Sequence, residues 1–297
     1  MDKKKSHHIS DILSAGKQTF SFEFFPPRTA ESSEQLLQSI KQLSFLNPSF
    51  ASVTYGAGGT TRELTHELVV KLQHEVGFSI VAHLTCVGSS KDEIKNVLQK
   101  YQDNNIQNIM ALRGDPPKGS SNFTQTANGF GYADELVEFI KFNFPKMGIG
   151  VAGFPEGHPE SIDKRKEIYY LKEKVDAGAD YICTQLFFDN NAFHNFREMC
   201  EKEKIKIPII AGIMPITTRK GMERMSELAK GATYPSKLIN AVNNAADDSE
   251  VEKIGTDWAT NQVMELIENK VAGVHFYTLN RSKATLQIFK ALNLNSN

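Results

Sequence analysis

Thr19-Phe-Ser-Phe-Glu-Phe-Phe-Pro-Pro27 reads as a strand, rich in Phe and closed by two prolines that cannot continue a ladder. Successive side chains on a strand point to opposite faces. Phe20, Phe22 and Phe24 therefore share one face, and Ser21, Glu23 and Phe25 the other. A lone carboxylate in an aromatic strand is expensive to bury without a partner. Two readings follow: an edge strand with Glu23 in water, or a strand of a closed parallel barrel. In a barrel the phenylalanines pack outward on helices and Glu23 points inward near the mouth.

The rest of the chain favours the barrel. Short apolar strands are expected at 50–55, 79–85, 108–112, 148–154, 181–187, 208–213 and 273–278. Helical spacing of apolar residues fills the intervals, at 33–46, 61–75, 91–104, 134–142, 164–176 and 191–202. Some sixty mostly helical residues precede the last strand, and a helix over 281–292 follows it. Near-continuous apolar strands suit a parallel sheet buried on both faces. Eight such units give an α/β protein with a (β/α)8 TIM barrel and extra helices between strands 7 and 8. Residues 1–18 read as a polar tail and lead-in, and 19–297 as a single barrel domain. A doubly wound sheet normally brings a glycine fingerprint after its first strand, and none follows here.

Composition narrows the function. The 297 residues carry a net charge of -1, so no global field favours nucleic acid or an anionic membrane surface. No apolar run approaches the roughly 20 residues of a membrane span. The polar start lacks the apolar segment of a signal peptide; it reads as a frayed tail with His7 and His8 solvated rather than binding metal. Three cysteines, Cys86, Cys183 and Cys200, without a Cys-x-x-Cys, point to a reducing cytoplasm. The sequon at Asn122 reads as chance. The stretch 118–131, rich in Gly, Ser, Asn and Thr, reads as a functional loop or lid.

Barrel active sites lie at the C-terminal ends of the strands. Those ends supply Glu23, Thr54, His83, Arg113, Asp115, Glu156, His158, Gln185, Tyr277 and Arg281. Taken singly, each has an ordinary explanation: His83 as a hydrogen-bonded core histidine, Arg113 and Asp115 as a salt bridge. Together they form one polar mouth drawn from scattered segments. A metal-dependent hydrolase of this fold would want His-x-His where Glu23 stands, so no metal is expected. A Schiff-base aldolase would want a strand-end lysine, whereas Lys174 sits late on a helix. Arg113, Lys174 and Arg281 suit anionic groups. The inventory fits a pair of large, flat, anionic organic ligands.

Ser21-Phe-Glu-Phe-Phe-Pro-Pro-Arg28, Val53-Thr-Tyr-Gly-Ala57, Ala82-His-Leu-Thr-Cys86, Ala111-Leu-Arg-Gly-Asp115, Pro155-Glu-Gly-His-Pro-Glu160, Lys174-Val-Asp-Ala-Gly178, Thr184-Gln-Leu-Phe-Phe-Asp189 and His275-Phe-Tyr-Thr-Leu-Asn280 closely resemble the bacterial-type 5,10-methylenetetrahydrofolate reductases, in order and over nearly the whole chain. The resemblance implies a flavoprotein in which NAD(P)H reduces FAD and leaves. Methylenetetrahydrofolate then takes its place and becomes methyltetrahydrofolate, in a ping-pong reaction feeding methionine synthesis. Carried over by position, Thr54, His83, Arg113, Gly114, Asp115, Tyr132, Ala133, His158, Glu167 and Lys174 would contact FAD. Glu23 would be the general acid, and Asp115 would lie between flavin and pterin. Gln185 would meet the pterin or nicotinamide amide, and Met225, Tyr277 and Arg281 would line the folate side. The chain departs from the usual family residues at Phe154, where Tyr is common, at Glu167, where Asp is common, and at Met225, where an aromatic or Leu is common. Members of this size are commonly homo-oligomers. The short bacterial form implies no added regulatory domain. A barrel that binds flavin or folate without turnover is the competing class, and it would not need a buried acid.

Overall fold

The computed structural model describes residues 7–55, 59–116, 123–158, 163–229 and 231–294. Eight parallel strands close into a barrel: β1 (Thr19–Phe24), β2 (Phe50–Val53), β3 (Ser79–Thr85), β4 (Asn108–Leu112), β5 (Gly148–Gly153), β6 (Tyr181–Thr184), β7 (Ile209–Ile213) and β8 (Gly273–Tyr277). β1 pairs with β8 as well as with β2, so it has no free edge. That disposes of the edge-strand reading of Glu23.

Around the barrel lie α2 (Ala30–Ser44), α3 (Gly59–Glu75), α4 (Lys91–Asp103), α5 (Ala133–Asn143), α6 (Lys164–Asp176), α7 (Asn190–Lys202) and α11 (Lys283–Ala291). Their starts follow local chemistry. Thr29 accepts from the Ser32 N–H and Ser32 answers at the Thr29 N–H, so α2 begins earlier than the apolar spacing predicts. Ser90 and Glu93 cap α4 in the same way. Its buried stripe is Ile94, Leu98 and Tyr101.

Strand parity sorts the side chains. Phe22, Phe24, Val53, Ala82, Leu84, Ile109, Ala111, Val151, Ile213 and Phe276 face outward into one apolar layer beneath the helices. Phe20 and Phe22 both meet the Phe289 ring of α11, with centroids 5.0 and 6.0 Å apart. Inside the barrel, Phe50, Val81, Met110, Tyr181, Cys183 and Ile210 form a separate cluster. Gly148, Gly150 and Gly153 have the spacing of a dinucleotide fingerprint, yet all lie within β5 and open no helix. A Cβ on Gly150 would stand 2.4 Å from the Tyr181 ring, so glycine here makes room for a core aromatic.

The lead-in corrects the expectation of a frayed tail as far as it is described. α1 (Ile9–Ser14) carries Ile9 and Leu13 into the inner cluster and closes the N-terminal end of the barrel. The Ile9 N–H donates to Asn108 Oδ1 at 3.1 Å, and Asn108 Nδ2 donates to the His7 carbonyl at 2.9 Å. The His7 N–H donates to Ser79 Oγ at 2.9 Å. His7 is exposed but its backbone is fixed, and His8 is half-buried.

Between β7 and β8 run α8 (Arg219–Leu228), α9 (Ser236–Asn244) and α10 (Asp248–Glu268), as expected. They build a second core from Met214, Ile216, Leu238, Val242 and Val251 with Leu186 and Phe188. β6 stops at Thr184, and beyond it Leu186 and Phe188 leave the ladder to pack under these helices while Phe187 stays in the main core. Of the expected lid, residues 118–122 lie outside the described residues, as does Asn122 of the sequon. The remainder is tied down, with the Lys91 N–H donating to the Asn128 carbonyl at 2.8 Å. No helix among the described residues is long and apolar enough to cross a membrane.

Candidate active site

Glu23 stands in register with Ser52 of β2 and Tyr277 of β8, pointing into the barrel near its C-terminal mouth. Its Oε2 lies 3.6 Å from Nε2 of His83 on β3. The Glu23 side chain is 19% exposed and that of His83 11%. Burial disfavours the charged form of each. It raises the Glu23 carboxyl to about 8 and lowers the His83 imidazole to about 4. The spacing is that of a weak ion pair, but at neutral pH both groups are uncharged. The result is a protonated carboxylic acid beside a neutral imidazole.

The walls around the acid are also polar. Tyr277 donates its hydroxyl to the Thr184 carbonyl at 2.7 Å and approaches the Cys183 thiol. A Cβ on Gly212 would sit 2.7 Å from the Tyr277 ring, so that glycine lets the ring lie flat against β7. One layer down, His275 bridges two serines, with Nδ1 2.7 Å from Ser21 Oγ and Nε2 3.2 Å from Ser52 Oγ. Its ring stacks on Phe50, and burial lowers its pKa to about 3. His275, Ser21, Ser52 and Cys183 were not picked out from the sequence. Their signal was strand parity, since Ser21 shares the Glu23 face and His275 the Tyr277 face.

The other expected site residues divide by position. Lys174, in the last turn of α6, donates to the Ala152 carbonyl of β5 at 2.7 Å. Burial lowers its pKa to about 8, against the pull of Glu167 and Asp134. Among the described residues no carboxylate lies within ion-pair distance of its ammonium. Glu167 lies two turns earlier on α6 and is half-buried. The Arg113 guanidinium lies over the Phe123 ring at 5.2 Å, and Gly114 turns the chain after β4 with φ +86°. Tyr132, at the N-cap of α5, is 62% exposed, with Ala133 beginning the helix behind it. The His158 ring meets Phe154 edge-on at 4.8 Å. Thr54 follows β2, half-buried, its N–H donating to the Phe24 carbonyl at 2.9 Å.

Across the mouth, Met225 of α8 and Tyr277 pack on the second core. Gln185 turns its Oε1 to the Leu186 N–H at 2.9 Å. Asp115 and Arg281 are exposed. No hydrogen bond or ion pair among the described residues joins Asp115 to Glu23. The salt bridge allowed between Arg113 and Asp115 is not among those described. Among the described residues no three His, Cys, Asp or Glu side chains gather as a metal site.

Lys174 and Arg113 each bring a cation toward the strand ends, and Glu23 presents a protonated carboxyl inside the mouth. The donor set fits a dinucleotide: Lys174 has ammonium protons beyond the one given to Ala152, and Tyr132 offers an open aromatic face.

The sequence matches the methylenetetrahydrofolate reductase family over residues 8–293. It is 37% identical over 278 residues to the 5,10-methylenetetrahydrofolate reductase of Escherichia coli K12, covering 93% of this chain and 91% of that protein. It is 38% identical over 297 residues to methylenetetrahydrofolate reductase (NADH) 1 of Arabidopsis thaliana, covering 96% of this chain but 50% of that protein. The chain thus spans about half the length of the plant relatives it matches. Among solved structures, an uncharacterised Clostridium thermocellum protein that binds two copies of 5-methyl-5,6,7,8-tetrahydrofolic acid superposes with a TM-score of 0.68 over 96% of this chain and 99% of that one. At 16% identity that likeness concerns the fold alone.

Proposed function

The chain belongs to the methylenetetrahydrofolate reductase family, and from that premise we propose that it reduces 5,10-methylenetetrahydrofolate to 5-methyltetrahydrofolate with NAD(P)H through bound FAD. The observation that carries this reading is Glu23, an acid kept protonated by burial at the mouth of a closed barrel. A binding protein has no use for a buried proton donor, whereas opening the imidazolidine ring of the folate requires one.

When bound, FAD supplies a two-electron centre that takes reducing equivalents from NAD(P)H and passes them to the folate in turn. Lys174 and Arg113 hold its anionic portion by charge-assisted hydrogen bonds. Tyr132, Ala133, Thr54, Gly114, His158 and Glu167 complete the FAD side, and Gln185, Met225, Tyr277 and Arg281 the folate side. Glu23 transfers its proton to an amine nitrogen of the imidazolidine ring, which opens the ring to the reactive iminium. His83, being neutral, does not draw that proton away by ion pairing. Asp115, exposed at the rim after β4, would lie between the two ligands when both are bound. Three buried unpaired cysteines suit a reducing cytoplasm, the product feeds methionine synthesis, and the assembled form is a homo-oligomer.

The purified protein is expected to absorb in the flavin band, to be bleached by NAD(P)H under anaerobic conditions, and to regain colour on adding methylenetetrahydrofolate, with methyltetrahydrofolate formed. A colourless protein that does not take up FAD would overturn the reading.

A further inference from the structure

The loop after β5 and the connection between α8 and α9 are joined by one carboxylate. Glu156 receives the Thr233 N–H on both oxygens, at 3.1 and 3.0 Å. These residues are 77 positions apart in sequence and belong to the segments after β5 and β7, two strands apart around the barrel. Each end of the bond is tied to part of the site. On the Glu156 side, Phe154 and His158 pack edge-on two residues to either side. On the Thr233 side, the next residue, Tyr234, stacks on Phe188 with centroids 4.3 Å apart and donates its hydroxyl to the Met222 carbonyl of α8 at 3.3 Å. Between the two runs a narrow crevice lined by Phe154, Pro155, Gln185, Leu186, Gly231 and Ala232.

We infer that Glu156 is a positioning residue, which straps the α8–α9 connection to the loop after β5 and so sets where α8 and Met225 stand against the folate. The inference rests on the proposed reaction for its kinetic consequence, but the strap itself is a matter of hydrogen bonding. Thr233 offers a single backbone donor, so a carboxylate with two acceptor oxygens holds it against small rotations of either loop. Losing the acceptor frees the connection without touching Glu23, Lys174 or the barrel core. Charge on the acceptor strengthens the bond, so an amide there keeps the geometry but weakens the hold.

The test compares the FAD-loaded parent with Glu156→Ala and Glu156→Gln. The first readout is hydrogen exchange at the Thr233 amide, which needs no activity. Exchange is expected to quicken at least tenfold in Glu156→Ala, and less in Glu156→Gln. The second readout is steady-state reduction of methylenetetrahydrofolate: KM for the folate is expected to rise roughly 2- to 5-fold in Glu156→Ala, the scale of an exposed charged hydrogen bond. Flavin content, anaerobic bleaching by NAD(P)H and melting temperature should stay near parental values, with partial rescue by Glu156→Gln. Unchanged Thr233 exchange in both variants overturns the strap. Faster exchange with an unchanged folate KM overturns its role in positioning α8. A parent that does not turn over folate at all would refute the proposed reaction, and the exchange result would still decide whether the strap exists.

Discussion

At the scale of single residues, the proposed site depends on two side chains, Glu23 and Lys174, whose ionisation burial disfavours. Lys174 is a cation at the mouth with one backbone acceptor and no carboxylate partner among the described residues. Replacing it by Ala should remove the charge-assisted contact proposed to bound FAD, worth about 1.5–3 kcal/mol, or roughly 10- to 150-fold in affinity. Flavin-binding titration of the apoprotein measures this, and equal affinity in parent and Lys174→Ala would refute the assignment. Glu23, His83 and Tyr277 were legible in the sequence because strand parity and strand ends are local properties. The layer beneath them was not. The contacts of Ser21 and Ser52 with His275 join β1, β2 and β8, and the register of those strands is not written in any one segment. Asp115 shows the converse limit. Its place at the end of β4 was legible, but its exposure was not.

At the scale of elements, α1 and the helices between β7 and β8 frame the two ends of the barrel. The Ile9, Ile12 and Leu13 set on α1 is too short for periodicity to declare a helix, which is why the lead-in read as a tail. Its function is clear once the inner cluster is seen: the barrel floor needs an apolar cover, and Ile9 supplies a fully buried side chain. Ile9→Ala should therefore destabilise the whole domain by about 2–5 kcal/mol, as for other large-to-small core changes. Equilibrium unfolding in denaturant checks this, and a change under 1 kcal/mol on the order of surface effects would mean that α1 is not part of the folded unit. At the other end, residues 185–187 read as more strand because a buried strand and a buried loop share much the same composition. Only the second core, which takes Leu186 and Phe188, distinguishes them.

At the scale of the whole molecule, the buried groups make stability depend on pH in a directed way. From about pH 4.5 to 8 the folded protein keeps the Glu23 proton that the unfolded chain releases, which lowers stability as pH rises. His83 and His275 act oppositely: folded pKa values of about 4 and 3 against 6.5 unfolded mean that stability rises with pH up to about 6.5. Two histidines outweigh one acid below 6.5, and Glu23 dominates between 6.5 and 8, with Lys174 beginning to oppose it only as the pH nears 8. The melting temperature of the apoprotein should thus peak near pH 6.5 and fall toward pH 8, and Glu23→Gln should flatten the fall. A parent whose melting temperature rises across that interval would contradict the burial argument. In the proposed reaction the same acid would separate the two half-reactions. Taking reducing equivalents from NAD(P)H needs alignment but no proton from Glu23, whereas folate reduction needs one, and general acid catalysis is typically worth about 10²- to 10⁴-fold. Stopped-flow absorbance in the flavin band follows each step in parent and Glu23→Gln. The variant should stay folded and yellow and bleach with NAD(P)H at near-parental rate, while its reoxidation by methylenetetrahydrofolate falls at least 100-fold, the lower bound for a lost general acid; an equal fall in both steps would contradict the assignment of Glu23 as the acid.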